Sequence, residues 1–266
     1  MDRADEGRHH SPGAGAGAGW EEAWAFDWAA ADASVGGSVR LALRPGEGVA
    51  RYWACVAGAG RPLVTVVDHE VRPPAGRSLE VRAEGLWADH VCETPFDHWT
   101  LGAEAFAVAL DEPLDAWGRA WGDRVPFGVD LEWETEGEVR PVADGYALAC
   151  RVTGEVIVGD ERLAVDAGGW RSHTWGGDRW STAWSSLAGR LDDGTGLWAT
   201  GPAVEGAGGP AMVVVDGLPV AVGPVALAPV LVPVAGGGPS RLGRALCRLD
   251  AAGRRGAGWV EWNRPA

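Results

Sequence analysis

The chain has 266 residues, 46% of them hydrophobic and 23% charged, which suits one large or two small globular domains and excludes wholesale disorder. A formal net charge of −14 disfavours nucleic acids and anionic lipid surfaces as partners, because both are held by cationic side chains. No apolar run reaches the ~20 residues of a membrane helix, since the nearest, 213–234, is interrupted by Asp216, Gly217, Pro219, Pro224, Pro229 and Pro233.

Residues 1–19 come first. They lack the basic and apolar regions of a signal peptide, so a cytoplasmic location is expected. Their alternating glycine–alanine run at 13–19 has no strand before it and no clear helix after it, which fails the context of a dinucleotide loop. A flexible tail is expected, in which His9 and His10 need no role.

From Trp20 the hydrophobic period is mostly two. Runs at 38–44, 63–67, 79–84 and 128–135 alternate or stay apolar for five to eight residues between Gly, Pro or Asp, as half-buried antiparallel strands do. Residues 100–110 fit a short helix or another strand. A second series follows 137–144: strands at 147–158 and 162–165 around a Gly159-Asp160 turn, a hairpin at Asp216-Gly217, and a closing strand at 258–262. This pattern predicts a barrel or sandwich and not βαβ units. The spacing W-x-x-x-W at Trp24–Trp28 and again at Trp180–Trp184 is a weak echo of two similar halves.

The four cysteines, Cys55, Cys92, Cys150 and Cys247, show no C-x-x-C spacing and read as buried free thiols. His90, Cys92 and His98 match no zinc pattern, and no G-x-S-x-G elbow is present. Neither a metal nor a cofactor is expected.

The 16 tryptophans are the anomaly. Most should simply fill core, but a pocket for a flat apolar ligand would use the same wide faces. They concentrate at 168–184 with glycines, arginines and a histidine. On an extended strand, alternation puts Arg171, His173 and Trp175 on one face and Trp170, Ser172 and Thr174 on the other. His173 is therefore the candidate acid/base, with Asp178, Asp130, Glu132 and Glu261 as possible carboxylate partners. Arg171, Trp175, Trp180, Trp184 and Trp133 are the candidate ligand-binding residues. Asp178-Arg179 reads as a structural ion pair or turn.

Residues 168–184, followed by Arg190-Leu191-Asp192-Asp193-Gly194, resemble the second half of the hydroxyneurosporene synthase/AttH-like family, in its uncharacterised actinobacterial branch. Leu86-Trp87, His98-Trp99-Thr100, Gly122-Asp123-Arg124 and Asp130-Leu131-Glu132-Trp133 extend the resemblance into the first half. It implies an all-β fold of two tandem lipocalin-like antiparallel barrels packed together, at 20–138 and 139–266, with a cavity for a hydrophobic molecule. His173 and Trp175 match the family's His-x-Trp pair. The downstream Tyr-x-Asp is replaced by Trp198-Ala199-Thr200, and the branch's aspartate before the histidine is Ser172. Three readings follow. The first is binding of an apolar isoprenoid-, acyl- or polyketide-like small molecule in a Trp-lined pocket. The second is a cofactor-independent hydratase, isomerase or cyclase using His173. The third is a solid core that binds nothing.

Overall fold

The computed structural model describes residues 6–7, 9–14, 16–202 and 209–266. The chain is all-β: eighteen strands form two antiparallel sheets, with one short 3-10 turn, Pro113–Trp117, among the described residues. No described helix is long and apolar enough to cross a membrane.

The first sheet contains β1 (Glu21–Ala29), β2 (Val35–Arg44), β3 (Val49–Gly58), β4 (Leu63–Val71), β5 (Val81–Ala83), β6 (Leu86–Thr94), β7 (His98–Leu110), β8 (Asp123–Thr135), β9 (Arg140–Val142), β10 (Gly145–Val158) and β11 (Glu161–Gly176). Its order is β4-β3-β2-β1-β11-β10-β8-β7-β6-β5, with β9 on β10. Leu63–Leu110, Val64–Ala109 and Thr65–Val108 pairing joins β4 to β7 and all but closes the sheet into a barrel. Alternation fills the barrel: Trp24, Phe26 and Trp28 of β1 meet Val39, Leu41, Trp99, Trp133 and Leu148 in one buried cluster. The ambiguous segment 100–110 is strand: Leu101, Ala103 and Ala107 are buried in the barrel, while Glu104 and Phe106 are exposed on its outside.

The second sheet contains β12 (Trp184–Leu191), β13 (Gly196–Pro202), β14 (Met212–Val215), β15 (Leu218–Leu227), β16 (Val230–Val232), β17 (Ser240–Ala251) and β18 (Arg254–Arg264). Its order is β13-β12-β18-β17-β15-β14, with β16 on β17, and its end strands β13 and β14 return towards each other so that it curls into a ring. The Asp216-Gly217 hairpin is present, with φ of 50° and 83° as a tight primed turn requires.

The change of sheet falls between Gly176 and Trp184. The expected division at 138/139 therefore lies inside the first sheet, because β10 pairs with β8 and β11 pairs with β1 across the chain's first half. The two W-x-x-x-W segments are not equivalent either. Trp24 and Trp28 point into the barrel, whereas Trp180 precedes β12 and Trp184 opens it.

The sheets are tied by packing and by polar contacts. Ala29, Cys55, Leu63, Leu246 and Trp259 form a buried apolar cluster between them. The Trp259 indole N–H donates to the Trp28 carbonyl at 2.8 Å, and that of Trp170 to the Gly189 carbonyl at 2.7 Å. Arg244 of β17 reaches Asp27 of β1 and Glu261 of β18, each at 2.6 Å. The cysteines are free, with Cys92 half-buried and the other three buried.

Candidate functional site

Strand β11 is a wall between two compartments. Its alternation follows the sequence reading at 171–174, where Arg171 and His173 face the barrel interior and Ser172 and Thr174 face the second sheet; Trp175, expected on the His173 face, packs against His173 and also borders the space between the sheets. Gly169 lets this wall pack, because a Cβ there would lie 2.5 Å from Val152 Cγ2 and 2.7 Å from the Asp27 carbonyl oxygen.

On the barrel side, His173 is enclosed. Its Nε2 lies 2.8 Å from Glu22 Oε1 and its Nδ1 lies 3.2 Å from the Tyr146 hydroxyl. Its ring stacks on Trp24 at 4.5 Å and meets Trp175 edge-on at 5.0 Å. His10 completes the group: its Nδ1 and its backbone N–H each lie 2.7 Å from a Glu22 oxygen, and its ring stacks on Trp175 at 3.7 Å. Burial pushes the Glu22 carboxyl up to about 8. Burial, reinforced by His10, His9 and Arg171, holds His173 well below the ordinary imidazole range. Burial thus favours the uncharged form of each partner, a carboxyl group facing a neutral imidazole. His10, Glu22 and His173 are also the described residues whose ligand atoms cluster as a metal would need, all within 4.8 Å.

On the other side, a cavity of about 280 Å³ lies between the sheets. Trp175, Trp184 and Trp198 supply its aromatic walls. Its polar groups are organised by charge. Burial alone would raise Glu21, but Arg40 and Arg44 hold it down at about 2, with Arg40 Nη2 at 2.6 Å. Glu261 is likewise held low, against its burial, by Arg244, Arg179 and Arg40, and it accepts from the Ser186 hydroxyl at 3.3 Å. Arg179 differs. Its guanidinium lies 4.1 Å above the Trp184 ring and 5.5 Å from Trp180, and among the described residues no carboxylate is within 4.0 Å of it. Burial pushes it down to about 10.

The expected site residues are thus divided. Trp175 and Trp184 border the cavity, and Trp180 lies beneath it, fully buried, donating its indole N–H to Glu21 at 3.0 Å. His173, Arg171 and Trp133 are on the barrel side, where Arg171 is ion-paired with Glu6 and donates to Thr135 Oγ1 at 3.0 Å.

None of the four expected carboxylates serves His173. Asp130 and Glu132 point outward from β8, Asp178 accepts from the Trp180 backbone N–H, and Glu261 faces the cavity. The partner is Glu22, 151 residues away in sequence. Glu6, His9 and His10 are also not bystanders: Glu6 is buried, and His9 and His10 lie against Trp24 and Trp175. The expectation that His10 has no role is corrected by these contacts. Asp178 and Arg179 form a turn without an ion pair. A larger hollow of about 650 Å³ beside Trp87 and Phe106 lies open on the barrel's outer surface, away from all these groups.

Residues 2–221 match the model of a family described as a domain of unknown function, DUF7064. The chain belongs to the DUF7064 family. No functionally curated protein matches it by sequence. Among solved structures, this DUF7064 chain is similar to an AttH protein of Nitrosomonas europaea, with a TM-score of 0.51 and 12% identity over 93% of each chain. It is also similar to CghA, with a TM-score of 0.50 and 11% identity over 92% of this chain and 88% of that one. CghA solved with Sch210972 gives 0.52 and 12%, over 98% and 94%. At such identities the likeness establishes the fold alone, and it is the AttH-like fold that the 168–184 motif suggests.

Proposed function

We propose that the cavity between the two sheets binds a small molecule with a flat apolar body and one acidic group. The observation that carries this reading is Arg179: a half-buried guanidinium that lines the cavity and stacks on Trp184, with no carboxylate in ion-pair contact among the described residues. Glu261, Glu21 and Asp144 act on Arg179 only at longer range, so an incoming carboxylate or phosphate can supply the direct bidentate contact that none of them makes. Trp175, Trp184 and Trp198 offer the broad faces that such a body would stack on. The cavity is small for a drug-sized ligand, near the lower end of the ~300–1,000 Å³ range of such sites, which favours a compact ring system over a long polyene. A protein of the same fold, CghA, has been solved with a small molecule, which supports a binding role for the architecture.

Catalysis by His173 on this ligand is the weaker reading, because His173 faces away from the cavity across β11. The binding proposal is tested with a panel of aromatic and isoprenoid carboxylates and their matching amides, followed by tryptophan fluorescence and calorimetry. Wild type should prefer the acid, Arg179→Gln should lose that preference, and Trp184→Ala should weaken both. Equal affinity of wild type and Arg179→Gln for every acid that binds would overturn the proposal.

A further inference from the structure

Three separate parts of the chain converge on one oxygen. His10 comes from the segment before the first strand, Glu22 from the start of β1, and His173 from β11. His10 Nδ1 and His173 Nε2 approach the same atom, Glu22 Oε1, at 2.7 and 2.8 Å.

Glu22 is exceptional among the acidic groups placed inside this fold. Glu6 is ion-paired with Arg171, Glu21 with Arg40 and Arg44, and Asp27 and Glu261 with Arg244. Glu22 is completely buried, and among the described residues it meets two imidazoles and no guanidinium. The rings are also held in place. Trp24 stacks on His173, Trp175 stacks on His10 with the planes 6° apart, and the Tyr146 hydroxyl addresses His173 Nδ1, the nitrogen turned away from Glu22. An outer hydrogen bond on the remote imidazole nitrogen is the usual support of a metal-binding histidine, because it fixes the ring and its tautomer.

We propose that His10, Glu22 and His173 form a binding site for a divalent transition metal of the zinc class. Two imidazoles and a carboxylate are the donor set that such borderline ions take, and they discriminate against magnesium, which requires oxygen ligands. With metal–ligand bonds of about 2.0–2.2 Å, tetrahedral donor atoms sit about 3.3 Å apart, so the two short contacts need open by only about half an ångström. Because one ligand belongs to the segment before β1, the ion would fasten that segment to the barrel.

The test uses the full chain without a histidine tag, stripped with a chelator and then titrated with Zn²⁺, Co²⁺ and Mg²⁺. One equivalent of Zn²⁺ or Co²⁺ should bind, Co²⁺ should give a visible d–d spectrum of a nitrogen- and oxygen-ligated site, and Mg²⁺ should not compete. His10 is only half-buried, so His10→Ala is the variant expected to fold. It should lose stoichiometric binding, whereas His9→Ala should keep it. Hydrogen exchange across residues 6–14 should slow on adding Zn²⁺ to wild type and not to His10→Ala. Absence of stoichiometric Zn²⁺ and Co²⁺ binding to wild type, or binding unchanged in His10→Ala, would overturn the proposal.

Discussion

The clearest energetic consequence of the fold concerns Arg244, which joins the two sheets. Its guanidinium is 1% exposed, lies 2.6 Å from both Asp27 and Glu261, and sits 4.9 Å over the Trp259 ring. Arg244→Met keeps much of the apolar stem but strands two carboxylates inside the interface. Breaking a buried pair in this way costs about 3–5 kcal/mol, because the remaining charges lose both water and partner. For a chain of this size each kcal/mol corresponds to roughly 2–4 °C, so the melting temperature should fall by roughly 6–20 °C. Urea unfolding followed by tryptophan fluorescence reads the loss directly, since Trp259 and Trp28 report on the same seam. The triple variant Arg244→Met, Asp27→Asn, Glu261→Gln removes the stranded charges together and should recover a substantial part of the loss. If the single variant stays within about 1 kcal/mol of wild type, or the triple variant is no more stable than the single, the electrostatic account of the seam is wrong.

Acid should destabilise the barrel through His90. This residue is buried, burial pushes it down to about 4, and its Nε2 has no hydrogen-bond partner among the described residues. The folded state therefore binds fewer protons than the unfolded state between pH 6.5 and 4, so the stability it preserves is complete above pH 6.5 and is lost as pH falls towards 4. The loss should reach about 3 kcal/mol, and His90→Leu should flatten that part of a pH series of urea midpoints; an unchanged slope would refute the assignment. Gly169→Ala forces a Cβ to within 2.7 Å of the Asp27 backbone carbonyl and should cost about 1–3 kcal/mol in the same assay. Gly177→Ala, where nothing lies within 4 Å, should stay close to wild type.

Much of the architecture was legible because a strand's period is two. The alternation at 38–44 and 128–135 predicted which residues of β2 and β8 enter the barrel, and Asp216-Gly217 predicted a hairpin through its turn chemistry. The placement of β10 and β11 was not legible, since antiparallel pairing between β1 and β11 spans some 150 residues and leaves no local mark. The site shows the same division. Alternation on β11 correctly placed His173 beside Arg171, but it could not say which compartment each face meets. Glu22 did leave a signal: two residues before Trp24, on the face that carries Phe26 and Trp28, a carboxylate must be buried and must find a partner. His10 left none, because a glycine- and alanine-rich segment reads as tail whether or not the barrel holds it. Arg179 was masked by its neighbour Asp178, an obvious charge partner in sequence that the turn directs to the Trp180 backbone instead.

The shared wall has a consequence for how this chain tolerates change. Because β11 lines the barrel with Arg171 and His173 and the cavity with Ser172 and Thr174, parity assigns these positions to a compartment, while Trp175 near the strand's end packs on His173 and borders the cavity as well. Point substitutions at Ser172 or Thr174 can reshape the cavity while His173 and Arg171 keep their surroundings. A single-residue insertion or deletion between Gly169 and Gly176 would instead exchange the two linings at once, delivering an arginine and a histidine to the cavity and hydroxyl groups to the barrel core. The cavity-facing positions of the strand can therefore vary in composition, whereas its length can change by no odd number of residues.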